Sequence, residues 1–132
     1  MKLLQHILFL SVLMWLSGCA SLYGVTGADG GVRHGDRMEY QVIHPGLNIK
    51  IIEPYSEQLL PISTVGQSSP TPLRHTVRYG TEAKPHIFEI VGKYEKKLFL
   101  DGKYYGTLWN GDVLINDGVL WVDGKAAAVV MK

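Results

Sequence analysis

Cysteine and net charge are the two things that this sequence lacks most clearly. It contains one cysteine in 132 residues, so it cannot form the internal disulfide framework that stabilises many small secreted domains. Its 13 Lys and Arg residues are balanced by 12 Asp and Glu residues. A neutral chain does not have the electrostatic footprint of a nucleic-acid-binding protein. We therefore expect no nucleic-acid partner.

The nearest approach to a basic patch is a group of four lysines in the last third of the chain. They are Lys93, Lys96, Lys97 and Lys103. Patches that bind phosphate backbones are denser than this one. We predict that these lysines form a solvated turn and hairpin edge.

The sequence also lacks an apolar run that is long enough to cross a membrane. The longest run, from Ile7 to Leu16, has ten residues and is interrupted only by Ser11. As a helix it would rise about 15 Å, which is half the thickness of a ~30 Å hydrocarbon layer. Lys2 precedes the run and the small residues Ser17-Gly18 follow it. This order is typical of a secretory signal, and we predict that residues 1–18 are a cleaved signal peptide.

The single cysteine stands directly behind this apolar run, in the stretch Leu16-Ser17-Gly18-Cys19. The stretch resembles the lipobox of bacterial lipoproteins. In that class the cysteine sulfur receives diacylglycerol, the leader is cut just before the cysteine, and the new amino terminus is usually acylated as well. The resemblance implies cleavage between Gly18 and Cys19 and lipidation of Cys19. Two or more acyl chains anchor a protein stably, so the implied partner is a membrane.

Two further points concern the anchor. In Gram-negative members of the class, an aspartate after the cysteine tends to retain the protein at the inner membrane, and this chain has Ala20 there. The resemblance therefore favours the periplasmic face of the outer membrane; in a cell with one membrane, the anchor would lie in its outer leaflet. The alternative is an ordinary secreted protein cut near Ala20, which would leave an unpaired thiol in an oxidising compartment.

The composition changes twice after the leader. Residues 20–36 are rich in glycine and show no apolar period, which predicts a flexible tether over residues 19–36, including the lipidated cysteine. The alternative is a set of ordered loops packed on the domain. From residue 37 to 132 we predict a single β domain.

Alternating and β-forming segments dominate that domain, and no segment keeps a helical period over three turns. Residues 86–91 (HIFEIV) are the candidate central strand, whereas residues 64–72 resemble a loop in composition. Asp-Gly pairs at 101, 117 and 123 predict hairpins with type I′ turns, and residues 109–112 predict one more turn. We predict an all-β fold, a small antiparallel β-sandwich or partly open barrel with a C-terminal meander. The expected core is Val42, Ile49, Ile51, Val77, Phe88, Ile90, Leu98, Leu100, Leu114, Leu120 and Val122.

Residues 98–107 (LFLDGKYYGT) are similar to the hairpin of PEGA-type surface modules, which often have the pattern apolar-x-apolar-Asp-Gly-x-x-x-Gly-Thr. The chain departs from that family because it lacks the defining Pro-Glu-Gly-Ala stretch and has Leu108 where proline is usual. The similarity covers about ten residues. It implies a β-module of the cell envelope and no reaction.

The sequence shows no arrangement typical of catalysis. The histidines His34, His44, His75 and His86 lack the spacing of a metal motif, and we predict that they lie at the surface or at strand edges. The stretch from Gly66 to Pro70 lacks the second glycine of a nucleophile elbow. We therefore predict a protein that is not an enzyme and that has no metal and no cofactor.

Four aromatic residues of the C-terminal third form the candidate binding surface: Tyr104, Tyr105, Trp109 and Trp121. The alternative is that they close the core of a small domain. The expected function is that of a lipid-anchored envelope protein with a non-enzymatic structural or protein-binding β domain, whose partner is another envelope protein. Two alternatives remain: a periplasmic ligand-binding or inhibitor module that uses the aromatic surface, and a hydrolase whose site the sequence does not reveal.

Overall fold

The structure, a computed structural model, describes residues 27–67 and 73–131. The predicted signal peptide, the lipobox with Cys19 and the first part of the predicted tether lie outside the described residues. The described residues form twelve strands: β1 (Gly27–Ala28), β2 (Val32–His34), β3 (Arg37–His44), β4 (Leu47–Pro54), β5 (Ser63–Gln67), β6 (Arg74–Gly80), β7 (Pro85–Val91), β8 (Lys96–Leu100), β9 (Lys103–Leu108), β10 (Gly111–Asn116), β11 (Val119–Val122) and β12 (Lys125–Ala126).

The first sheet contains seven strands in the order β1-β3-β4-β10-β11-β12, and β2 pairs with β3 as well. Its neighbours are antiparallel except for β4 and β10, which run parallel from the pair Leu47 and Gly111 to the pair Ile52 and Asn116. Parallel neighbours need a long crossover connection. Here the whole second sheet is inserted between them.

The second sheet contains five strands in the order β5-β6-β7-β8-β9. Each strand is antiparallel to the next one along the chain. β7 lies in the middle of this sheet, which confirms the central strand predicted for residues 86–91. The all-β prediction is confirmed, and the two sheets form an open two-layer structure that does not close into a barrel.

The core lies between the inner faces of the two sheets. Its buried hydrophobic residues are Tyr40, Val42, Leu47, Ile49, Ile51, Val77, Tyr79, Phe88, Ile90, Leu98, Leu100, Val113, Ile115 and Leu120. Leu114 and Val122, two predicted core residues, are only partly buried. The prediction was wrong for Leu114 because the register with β4 places Val113 opposite Ile49 and Ile115 opposite Ile51. Leu114 therefore points away from the core.

The Asp-Gly turns join strands as predicted. Asp101, Asp117 and Asp123 have φ angles of 50°, 53° and 49°, and the glycine after each also has a positive φ. A type I′ turn requires a positive φ at both central residues. The predicted C-terminal meander is divided between the sheets, because β8 and β9 end the second sheet whereas β10, β11 and β12 belong to the first. Residues 109–110 cross between the sheets and do not make a hairpin.

Two segments that looked irregular from composition are strands. Residues 27–28 and 32–34, within the predicted tether, pair with β3, and Asp29 accepts hydrogen bonds from the backbone N–H groups of Gly31 and Gln41, both at 3.1 Å. Residues 63–67, within the predicted loop, pair with β6. Pairing with a long neighbouring strand supplies backbone partners that composition does not reveal.

The sandwich has two edges and two ends. β1 and β5 lie close together at one edge. At the other edge the C-terminal segment passes from β11 to β9, since Ala127 donates to Leu120 O and Val130 donates to Tyr104 O. We name the ends after the polar residues on them, the His44 end and the Glu53 end. No helix within the described residues is long and apolar enough to span a membrane.

Candidate binding face on the seven-stranded sheet

The outer face of the first sheet carries side chains in rows, because alternate residues of a strand point to the same side. Lys50, Leu114 and Trp121 are cross-strand partners on β4, β10 and β11. On one side of this row Asn48 pairs with Asp112. On the other side the row is Ile52, Asn116 and Val119.

These rows form a shallow groove of about 500 Å³. Its lining is Asn48, Lys50, Asp112, Val113, Leu114, Asn116, Trp121 and Gly124. The middle is apolar, since Leu114 and Trp121 are neighbours and both are partly exposed. The groove therefore offers an aromatic ring and an aliphatic side chain to whatever lies on the sheet.

The rim of the groove is polar and internally bonded. Asn48 Nδ2 donates to Asp112 Oδ1 at 3.3 Å, and Arg37 Nη1 donates to Asn116 Oδ1 at 3.2 Å. Lys50 Nζ lies 2.9 Å from Glu39 Oε1. An apolar centre that contains tryptophan, surrounded by a polar rim, is the usual anatomy of a protein contact surface.

The structure does not bring the four predicted aromatic residues together. Trp121 lies in the groove, whereas Tyr104 packs against Phe99 at 5.1 Å between ring centroids on the second sheet. Tyr105 packs against the hydrophobic core. Trp109 is 60% exposed in the crossover between the sheets.

A pair of histidines, His75 buried and His44 half-buried, lies at the His44 end. The rings of His44 and His75 stack at 5.2 Å with an interplanar angle of 12°, and their Nδ1 atoms are 3.0 Å apart. One Nδ1 donates and the other accepts, so the pair is bonded when both rings are neutral. Burial lowers the pKa of both rings. For His44, the neighbouring His75 and Lys96 lower the pKa further, to about 4. The surface location predicted for these histidines is wrong for His75, which is 2% exposed.

Lys96 holds two loops together at the same end. It is only 4% exposed, and its ammonium group donates to the carbonyl oxygens of Tyr94 and Trp109. Burial lowers its pKa. The prediction of a solvated lysine was wrong here because Lys96 begins β8 inside the sandwich end and finds backbone acceptors there. Gly46 makes space for this ammonium group, since a Cβ at that position would lie only 3.2 Å from Lys96 Nζ.

The Glu53 end contains a second polar cluster. His86 Nδ1 is 2.8 Å from Asp101 Oδ2, and the His86 ring stacks on Tyr79 at 5.2 Å. Asp101 Oδ1 also accepts from the backbone N–H of Ile87, at 2.8 Å, so this carboxylate ties the β8–β9 turn to the start of β7. Burial raises the pKa of Tyr79 and that of the nearby carboxyl Glu53, which is itself buried.

Sequence reasoning found Trp121 but not the polar residues around it. Asn48 and Lys50 could have been assigned to one face by their alternation with buried isoleucines, but nothing local predicts the parallel pairing that sets Asp112 beside Asn48. The His44–His75 contact joins residues 31 positions apart. The sequence pattern did not predict the exposure of Tyr94, which is 65% exposed, because this residue lies in a loop.

Residues 27–67 and 73–131 contain no group of three or more His, Cys, Asp or Glu side chains that could hold a metal ion. No family model, curated protein or solved structure matches the chain. The geometry of the fold and the lipobox resemblance are therefore the grounds for a function.

Proposed function

We propose that the chain is a lipid-anchored protein of the bacterial cell envelope whose β domain binds another envelope protein and catalyses no reaction. The observation that carries the binding role is the groove on the first sheet, in which Leu114 and Trp121 lie inside a polar rim. Contact surfaces of this composition gain most of their affinity from a few central aromatic residues. Trp121 is the central residue here.

Two polar residues at the ends of the sandwich make hydrogen bonds that give them a structural role. Asp101 accepts hydrogen bonds that join a turn to a strand, and Lys96 donates to two backbone carbonyls. Catalytic acids, bases and nucleophiles need access to a substrate. Asp101 and Lys96 are instead engaged in these hydrogen bonds and stabilise the ends of the sandwich.

The anchoring part of the proposal rests on the lipobox resemblance and is tested by labelling. Cells that express the chain are supplied with radioactive palmitate, and membranes are examined for labelled, shortened protein. We expect label on the wild type and on the control Ser17→Ala, which keeps a small residue before the cleavage site. Cys19→Ala should remain unlabelled and uncleaved. Normal maturation of Cys19→Ala would overturn the anchor.

The binding part is tested by photocrosslinking in living cells. A benzophenone amino acid is placed at Val119, which is 48% exposed on the candidate face, or at Val129, which is 41% exposed in the C-terminal segment outside the groove. We expect a discrete protein adduct from position 119 that weakens at least several-fold when Trp121→Ala is added, and no such adduct from position 129. Equal adducts from both positions would contradict a specific contact on this face.

The alternative of a ligand-binding module is favoured by one observation. Trp121 lines the same groove as the amide side chains of Asn48 and Asn116, and an aromatic face flanked by amides suits a glycan. Titration of soluble peptidoglycan fragments into the purified protein distinguishes the two cases. Saturable binding that Trp121→Ala abolishes would favour the glycan module over protein contact.

A further inference from the structure

The direction of β1 shows where the chain enters the folded domain. β1 is antiparallel to β3, with Gly27 opposite Ile43 and Ala28 opposite Val42. The amino-terminal end of β1 therefore points to the end of the sandwich at which β3 reaches His44. The chain enters the sandwich at the His44 end.

The length of chain before β1 limits how far that end can be from an anchor. Cys19 lies eight residues before Gly27. Eight residues span at most about 28 Å even when fully extended. If Cys19 carries the lipid, as the proposed function holds, the His44 end is the part of the sandwich that is tied most closely to the bilayer.

Two exposed aromatic residues lie at this end. Tyr94 is 65% exposed and Trp109 is 60% exposed, and they occupy the β7–β8 and β9–β10 connections. Both backbone carbonyls accept from Lys96 Nζ, so the two loops are held side by side. A single exposed aromatic residue is ordinary on a protein surface. Two exposed aromatic residues in loops that are held together, at the end nearest the proposed anchor, require an explanation.

Tryptophan and tyrosine are the side chains enriched where proteins meet the headgroup region of a membrane, because each combines an apolar ring with a polar group. We propose that the His44 end rests on the bilayer that holds Cys19, with Trp109 and Tyr94 in the headgroup region. The inference rests on the proposed lipid anchor. It sets the strands upright on the membrane, so that the groove with Trp121 faces sideways and stays open to a partner.

The tryptophans provide a matched pair of probes for this orientation. The chain has three tryptophans; Trp15 belongs to the predicted signal peptide, so the mature protein keeps Trp109 and Trp121. Trp121→Phe leaves a probe at the His44 end, and Trp109→Phe leaves a probe on the outer face of the sheet. The lipidated protein is placed in vesicles of phosphatidylethanolamine and phosphatidylglycerol, with and without a lipid that carries a nitroxide on its headgroup.

We expect the nitroxide lipid to quench Trp109 at least three-fold more strongly than Trp121, and we expect the Trp109 emission to shift to the blue relative to the protein in detergent. Mass spectrometry of the same sample reports the acyl chains, and circular dichroism reports the fold of both variants. Acylated protein in which Trp109 is quenched no more than Trp121 would overturn the orientation and leave the anchor standing. Protein without acyl chains would overturn both proposals.

Discussion

At the scale of single residues, the pair of His44 and His75 makes stability depend on pH. The pKa of His44 is lowered from 6.5 to about 4, and that of His75 is lowered too. Below pH 6.5 these histidines therefore bind protons more readily in the unfolded chain than in the folded chain. The free energy of unfolding consequently falls as the pH is lowered towards 4. For His44 alone the loss is about 3 kcal/mol over this interval.

Chemical denaturation at a series of pH values from 7.5 to 4 measures this loss. The interval covers the ordinary pKa of His44, 6.5, and reaches its lowered pKa of about 4. Replacing His44 by Gln should make the pH dependence shallower, because one of the two histidines with a lowered pKa is gone. The control is His34→Gln, at an exposed histidine on β2. If His44→Gln keeps the slope of the wild type, the pair does not govern acid stability.

Gly46 is the second residue whose role can be isolated. It has a φ of 80°, and a Cβ there would lie 2.6 Å from Asn110 Oδ1 and close to Lys96 Nζ. Gly102 has nearly the same φ, 79°, but nothing within 4 Å of its Cβ position. Gly102→Ala should therefore cost only the left-handed strain, about 1–2 kcal/mol.

Gly46→Ala should cost that strain plus the displacement of the Lys96 contacts, about 1–3 kcal/mol more. The free energies of unfolding of the two variants, measured in urea, give the difference directly. Equal losses would show that Lys96 and Asn110 move aside without cost.

At the scale of strands, the C-terminal segment covers an edge that would otherwise be open. Val130 donates to Tyr104 O on β9, and Ala127 donates to Leu120 O on β11. Ending the chain at Ala126 removes both hydrogen bonds and uncovers β9, which should lower the free energy of unfolding by about 1–3 kcal/mol and promote association through the edge.

Urea denaturation and light scattering test this truncation. A chain that ends at Met131 is the control, because it keeps both hydrogen bonds and should match the full chain. A chain ending at Ala126 that is as stable and as monodisperse as the control would show that the segment does not protect the edge.

Local sequence predicted those strand features that local chemistry determines. The Asp-Gly turns form because their residues tolerate a positive φ, and nine of the predicted core residues are buried because alternation sets one face of a strand. The prediction that Leu114 points into the core was wrong because local sequence does not determine its direction. Its apolar neighbours Val113 and Ile115 permit either face, and only the pairing of β10 with the distant β4 decides between them.

At the scale of the whole molecule, the candidate site depends on contacts that no local pattern contains. Trp121 could be named from the sequence, but its polar surroundings arise because the chain builds the entire second sheet before β10 returns to β4. The buried state of Lys96 has the same origin, since its acceptors Tyr94 and Trp109 lie in different connections. The proposed anchor is the reverse case, because it is inferred from four consecutive residues and from no long-range contact.

The proposed lipid anchor leads to an expectation for the membrane in which the whole molecule lies. If the lipobox resemblance holds, residue 20 acts as a sorting signal, and Ala20 directs the lipidated chain to the outer membrane. In a Gram-negative cell, Ala20→Asp should move most of the protein to the inner-membrane fraction of a sucrose gradient without changing its acylation. Ala20→Ser is the control and should remain with the outer membrane. Residue 20 lies seven positions before β1, and circular dichroism should show the same fold for both variants. An unchanged distribution would show that delivery is set elsewhere in the chain.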